Sequence, residues 1–142
     1  MNKIFTLFLV CVATQANAVN PDKTHKDVDS FLRALHMVET GGRLGPVTGD
    51  RGNALGPFQI WKPYYLDAAQ KSKGKLNKTY KHVTDYKYAK QVVLWYFYRY
   101  EPKALKSGNW ETLARLHNAG PAWRKKKKLT DKYWAKVNKH LK

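Results

Sequence analysis

The chain has a single cysteine, Cys11, so no intrachain disulfide can form and packing alone must hold its fold together. That cysteine lies in an apolar run from Ile4 to Val12, which follows Lys3 and precedes the small-residue triplet Ala16-Asn17-Ala18. Charge, apolar run and small-residue site in this order predict a secretory signal peptide over residues 1–18, with the mature domain at 19–142. The run is too short to anchor the chain across a hydrocarbon layer of roughly 30 Å. Cys11 follows Val10 instead of the small residue expected of a lipoprotein signal. A chain of this length buries on the order of two-thirds of its unfolded surface. Five Trp, nine Tyr and five Phe supply bulky core material. No repeat, long linker or low-complexity tract divides the sequence, so one domain is expected.

The formal net charge is +17, one less if Lys3 departs with the leader. Such a field attracts polyanions over long range. For an exported protein these are bacterial envelope polymers, anionic lipid and stray nucleic acid, and export argues against nucleic acid as the main partner. The lysines at 71, 73, 75, 78 and 81 and the run Arg124 to Lys128 are either plain solvated loops or adhesive ones. Asn77-Lys78-Thr79 fits a glycosylation acceptor in a eukaryotic host.

Periodicity predicts a mostly helical chain. Val28, Phe31, Leu32, Leu35 and Val38 recur at helical spacing and end at Gly41-Gly42. The Gly-rich stretch from Leu44 to Gly56 reads as a loop or short irregular hairpin. Pro63 suits the first turn of a helix through Ala69, followed by a basic loop over residues 71–82. A longer helix runs from about Asp85 to Pro102, and Asn109 caps another that closes at Gly120-Pro121. Thr130 is expected to cap a last helix bearing Tyr133, Val137 and Leu141. The fold class is therefore α+β, predominantly helical, with a small β or loop region after the first helix.

Glu39 follows Leu35 by 4 residues, Leu32 by 7 and Val28 by 11, which puts it on the apolar face of its helix. A carboxyl held against apolar surface keeps its proton to higher pH, as a general acid requires. Spacing alone equally allows a surface glutamate fraying at the helix end. Asp50, among Thr48, Gly49, Arg51, Gly52 and Asn53, has donors around it that favour the anion. One acid in an apolar setting and one carboxylate in a polar one is the pairing that glycoside cleavage uses, although Asp50 also fits an ordinary turn residue. Gln59, Trp61, Tyr64 and Tyr65 offer amide, hydroxyl and flat ring groups suited to sugars, and packing is their other use. Tyr64 and Tyr65 point about 100° apart on a helix, so only one of them is expected in a cleft. His117 shares a face with Trp110, Leu113 and Ala114, as a core histidine would, and Asn118 either meets substrate or helps end its helix. No Cys pair, His-Glu-x-x-His or phosphate-binding Gly loop is present, so neither metal nor cofactor is expected.

The run Val38-Glu39-Thr40-Gly41-Gly42, Gly49-Asp50 and the segment GNALGPFQIWKPYYLDA from Gly52 to Ala68 resemble the invertebrate-type, destabilase-like lysozymes. The likeness continues, in the same order, through YFYRY (96–100), LHNAGP (116–121) and Tyr133-Trp134. It implies a lysozyme-like fold and cleavage of the β-1,4 link between N-acetylmuramic acid and N-acetylglucosamine in peptidoglycan. It further implies Glu39 as proton donor, Asp50 as second carboxylate, and sugar contacts at Lys62 to Ala68, Tyr100, His117 and Asn118. The chain departs from the family in cysteine, since those lysozymes are densely disulfide-bonded. Isopeptidase activity, found in some members, has no evident nucleophile here. Two other readings compete: a lytic transglycosylase using Glu39 alone, and a non-catalytic cationic protein acting by charge.

Overall fold

The computed structural model describes residues 18–20 and 23–141. Most of the expected leader, with Cys11, lies outside the described residues. The described residues form a small sheet and six α-helices: α1 (Val28–Thr40), α2 (Lys62–Ser72), α3 (Tyr86–Tyr100), α4 (Pro102–Ser107), α5 (Trp110–Ala119) and α6 (Lys127–Lys139). The sheet is an antiparallel meander of β1 (Thr48–Gly49), β2 (Ala54–Leu55) and β3 (Ile60–Trp61), with Gly49 opposite Ala54 and Leu55 opposite Ile60. The architecture is α+β and predominantly helical, and the expected hairpin follows the first helix. Among the described residues no helix is long and apolar enough to cross a membrane.

The α1 stripe packs as its spacing predicts, with Phe31, Leu32 and Leu35 fully buried. The helix ends where Gly41 turns left-handed (φ 63°) and its N–H reaches the Met37 carbonyl. Helix α3 is the centre of the molecule, burying Val92, Val93 and Phe97 completely. It starts at a cap in which Asp85 Oδ1 accepts from the Tyr88 N–H at 2.8 Å. Asn109 caps α5 in the same way through the Thr112 N–H at 3.1 Å.

Three expectations need correction. The basic loop is shorter than expected, because α2 continues to Ser72 before Lys73 turns left-handed (φ 51°) and a 3-10 turn forms over Tyr80–Thr84. Pro102 ends α3 but also opens α4, whose Leu105 is fully buried. Thr130 caps nothing: α6 begins at Lys127, and Thr130 lies buried in its first turn. The reason is Arg115 of α5, whose side chain is only 5% exposed. Its guanidinium needs acceptors and takes the Lys127 carbonyl, the Thr130 hydroxyl and the Asp131 carboxylate, while Glu111 holds its other edge. This network fixes α6 against α5.

Candidate functional site

A cleft of about 480 Å³ opens between the sheet and the helices. Glu39 enters it from the end of α1, where the left-handed Gly41 stops the helix before a further turn can cover the carboxyl. Its side chain is 17% exposed. Burial raises its pKa from 4.5 to about 7, against the opposing pull of a hydrogen bond from Tyr133. That bond joins α1 to α6: the Tyr133 hydroxyl donates to Glu39 Oε1 at 2.5 Å across 94 residues of sequence.

His117 of α5 lies behind the acid, its Nε2 being 3.5 Å from Glu39 Oε1 and its side chain 3% exposed. The Phe58 carbonyl, 3.2 Å from Nε2, can only accept, so Nε2 carries the proton and Nδ1 accepts from the Tyr64 hydroxyl at 3.0 Å. Burial lowers the His117 pKa to about 4, and the Phe58 carbonyl resists this. Burial thus favours the neutral form of both Glu39 and His117, which disfavours an ion pair between them despite their closeness.

Asp50 reaches the same cleft from the turn between β1 and β2, where it is exposed and left-handed (φ 45°), as is Arg51 after it (φ 56°). Gln59 braces this turn. Its side-chain NH2 donates to the Val47 and Gly56 carbonyls, and its Oε1 lies so near Gly49 that an added Cβ there would come within 2.0 Å. Gln59 itself lines the cleft in a left-handed conformation (φ 49°), but its amide nitrogen is committed to the hairpin.

The other expected residues separate by layer. Tyr64 lines the cleft, stacked on Tyr96 with ring centres 3.5 Å apart. Tyr65 turns away and donates to the Lys78 carbonyl at 2.6 Å. Asn118 is exposed at the rim. Tyr100 stands one layer back, donating to Asp67 Oδ2 at 2.7 Å, so the carboxylate of Asp67 reaches the cleft in its place. Lys62 is exposed and outside the lining. Trp61, 45% exposed, presents an aromatic face at the edge.

Sequence reasoning covered Asp67 only within the Lys62 to Ala68 segment, and singled out neither Tyr96 nor the contact of Tyr133 with the acid. Asp67 was within reach, since it falls three residues after Tyr64 on the same face of α2. Tyr133 sits on the buried stripe of α6 with Thr130 and Val137, but no local signal names a partner 94 residues away.

A second concavity, of about 590 Å³, is lined by Lys23, Lys103 and Lys106 with Tyr98, Pro102 and Ser107. Tyr98 follows the cleft residue Tyr96 by two positions, about 200° around α3, so this basic hollow lies on the other side of that helix. Among the described residues no group of three or more His, Cys, Asp or Glu is arranged to hold a metal ion.

A search of curated proteins finds no match to the chain. The Destabilase family model matches residues 29–140. That span contains every cleft residue named above, and the chain accordingly belongs to the Destabilase family, the lysozyme-like hydrolases of the invertebrate type.

Proposed function

We propose that the protein is a secreted muramidase that hydrolyses the β-1,4 link between N-acetylmuramic acid and N-acetylglucosamine in peptidoglycan. Glu39 is the general acid, protonating the departing glycosidic oxygen. Asp50 is the second carboxylate, facing the oxocarbenium-like sugar. The observation that carries this reading is the contrast between two carboxyls in one cleft: a largely buried Glu39 with its pKa raised to about 7, and an exposed Asp50. Stacked Tyr64 and Tyr96 form an aromatic wall, and Asn118, Asp67 and Trp61 offer polar and flat contacts to successive sugars. The basic hollow beyond α3 and the exposed lysines hold the enzyme near anionic envelope polymers.

The decisive variant is Glu39→Gln, which keeps the shape and removes the proton. Wall lysis should fall by at least about a hundredfold. Lysis and killing that both survive unchanged would sink the acid and leave charge as the agent. Mass spectrometry of digested peptidoglycan then reads the reaction itself. Hydrolysis leaves reducing ends one water heavier than anhydro ends, and a wholly anhydro product set would make the protein a transglycosylase.

A further inference from the structure

The protein treats the two oxygens of Glu39 differently. Oε1 accepts from the Tyr133 hydroxyl at 2.5 Å and lies 3.5 Å from His117 Nε2. Oε2 has no hydrogen-bond partner among the described residues, and Glu39 lines the cleft. Among the described residues the Tyr133 hydroxyl likewise has one acceptor, Oε1. Were the acid's own proton on Oε1, two O–H groups would confront each other and the tyrosine proton would lose that acceptor, an unfavourable state for a buried donor.

We propose that Tyr133 is a positioning residue which holds the labile proton of Glu39 on Oε2, the oxygen left free at the cleft. The proposal rests on Glu39 being the general acid. In the forward step the Oε2–H bond gives its proton to the glycosidic oxygen as the bond from that oxygen to the anomeric carbon breaks. The O–H electron pair stays on Glu39, which becomes a carboxylate, and the sugar carries the positive charge. The Tyr133 bond to Oε1 then becomes charge-assisted and stabilises the anion formed. In the return step water adds to the anomeric carbon and its proton returns to Oε2.

The groups facing Glu39 limit what else can set its titration. They are Tyr133 from α6, His117 from α5, Tyr64 from α2, and, lining the same cleft, Asp67 from α2, Tyr96 from α3 and Asp50 from the hairpin. Burial, helped by Tyr96 and Glu39 at Tyr64 and by Glu39 at Tyr133, keeps Tyr64 and Tyr133 protonated well above pH 10, and His117 is neutral above about 4. Across the working range of the acid, Tyr133 is therefore a fixed donor.

The test compares the full-length protein with Tyr133→Phe and with 3-fluorotyrosine inserted at position 133, a more acidic donor of nearly the same shape. Carboxyl 13C NMR follows the titration of Glu39, and lysis of purified peptidoglycan follows activity against pH. In Tyr133→Phe the Glu39 midpoint and the alkaline limb of activity should both move up. At pH values below that limb, kcat should fall about tenfold with KM within about twofold. Fluorotyrosine should move midpoint and limb down, and it carries the test alone if the phenylalanine variant does not fold. A Glu39 midpoint unmoved by either change would overturn the proposal. So would a shifted midpoint with kcat intact, because Tyr133 would then tune the acid without placing its proton. Lysis that survives Glu39→Gln would remove the acid reading instead, and the NMR titration would still report the hold of Tyr133 on the carboxyl.

Discussion

Glu39 and His117 tie the stability of the protein to pH in opposite directions. Glu39 has a folded pKa of about 7 against 4.5. The folded state therefore binds more proton, and the stability this provides is complete below 4.5 and lost as pH rises through about 7, in all about 3 kcal/mol. His117 is lowered to about 4 against 6.5, so the stability of its neutral form is complete above 6.5 and lost as pH falls through about 4. Between about 4.5 and 6.5 the two slopes oppose each other, and stability changes little with pH. Glu39→Gln removes one of them. Urea denaturation should show the variant gaining stability from pH 4 to 6.5, and exceeding wild type at pH 8 by about 2 to 3 kcal/mol. A flat profile for the variant would mean that His117 is not held neutral by burial. With Glu39 as the proposed general acid, the group works while protonated, so lysis should decline on the alkaline side with a midpoint near pH 7.

Among the elements, the hairpin that carries Asp50 depends on two glycines for different reasons. Gly56 is left-handed (φ 78°), and a Cβ there would meet the Val83 carbonyl oxygen at 2.1 Å, backbone against backbone. Gly56→Ala should cost more than about 2 kcal/mol by thermal denaturation. Gly49 has an ordinary extended φ of −143°, and its Cβ would strike only the Gln59 side chain. Gly49→Ala should cost less than about 1 kcal/mol yet lower kcat/KM at least about tenfold, because the brace under the Asp50 turn is displaced. Equal losses in both properties would assign Gln59 to the fold alone.

Elements of this kind were legible in the sequence where their signals are local. The α1 stripe, the start of α3 near Asp85, the Asn109 cap and the divergent facing of Tyr64 and Tyr65 follow from residues a few positions apart. Helix α4 escaped because six residues are too few to display a period, and the start of α6 escaped because distant Arg115 fixes it. In the same way, the apolar placement of Glu39 could be read from Val28, Leu32 and Leu35, whereas Tyr133 on its carboxyl could not.

At the scale of the whole molecule, the +17 charge and the separate faces of α3 suggest that adhesion and cleavage respond differently to salt. At an ionic strength near 0.1 M the screening length is about 10 Å, so long-range attraction fades while short contacts in the cleft persist. Raising sodium chloride from about 50 to 300 mM should slow lysis of intact cells several-fold and leave cleavage of soluble peptidoglycan fragments, stripped of anionic polymers, within about twofold. Equal sensitivity of both substrates would argue against adhesion by charge. The bond between α1 and α6 also bears on how the protein is made. The acid lies near the beginning of the domain and its tyrosine partner near the end, so a growing chain on the ribosome holds Glu39 long before Tyr133 has been synthesised. A chain cut short before α6 therefore carries Glu39 without its Tyr133 bond, and the two can pair only after the last helix has been synthesised.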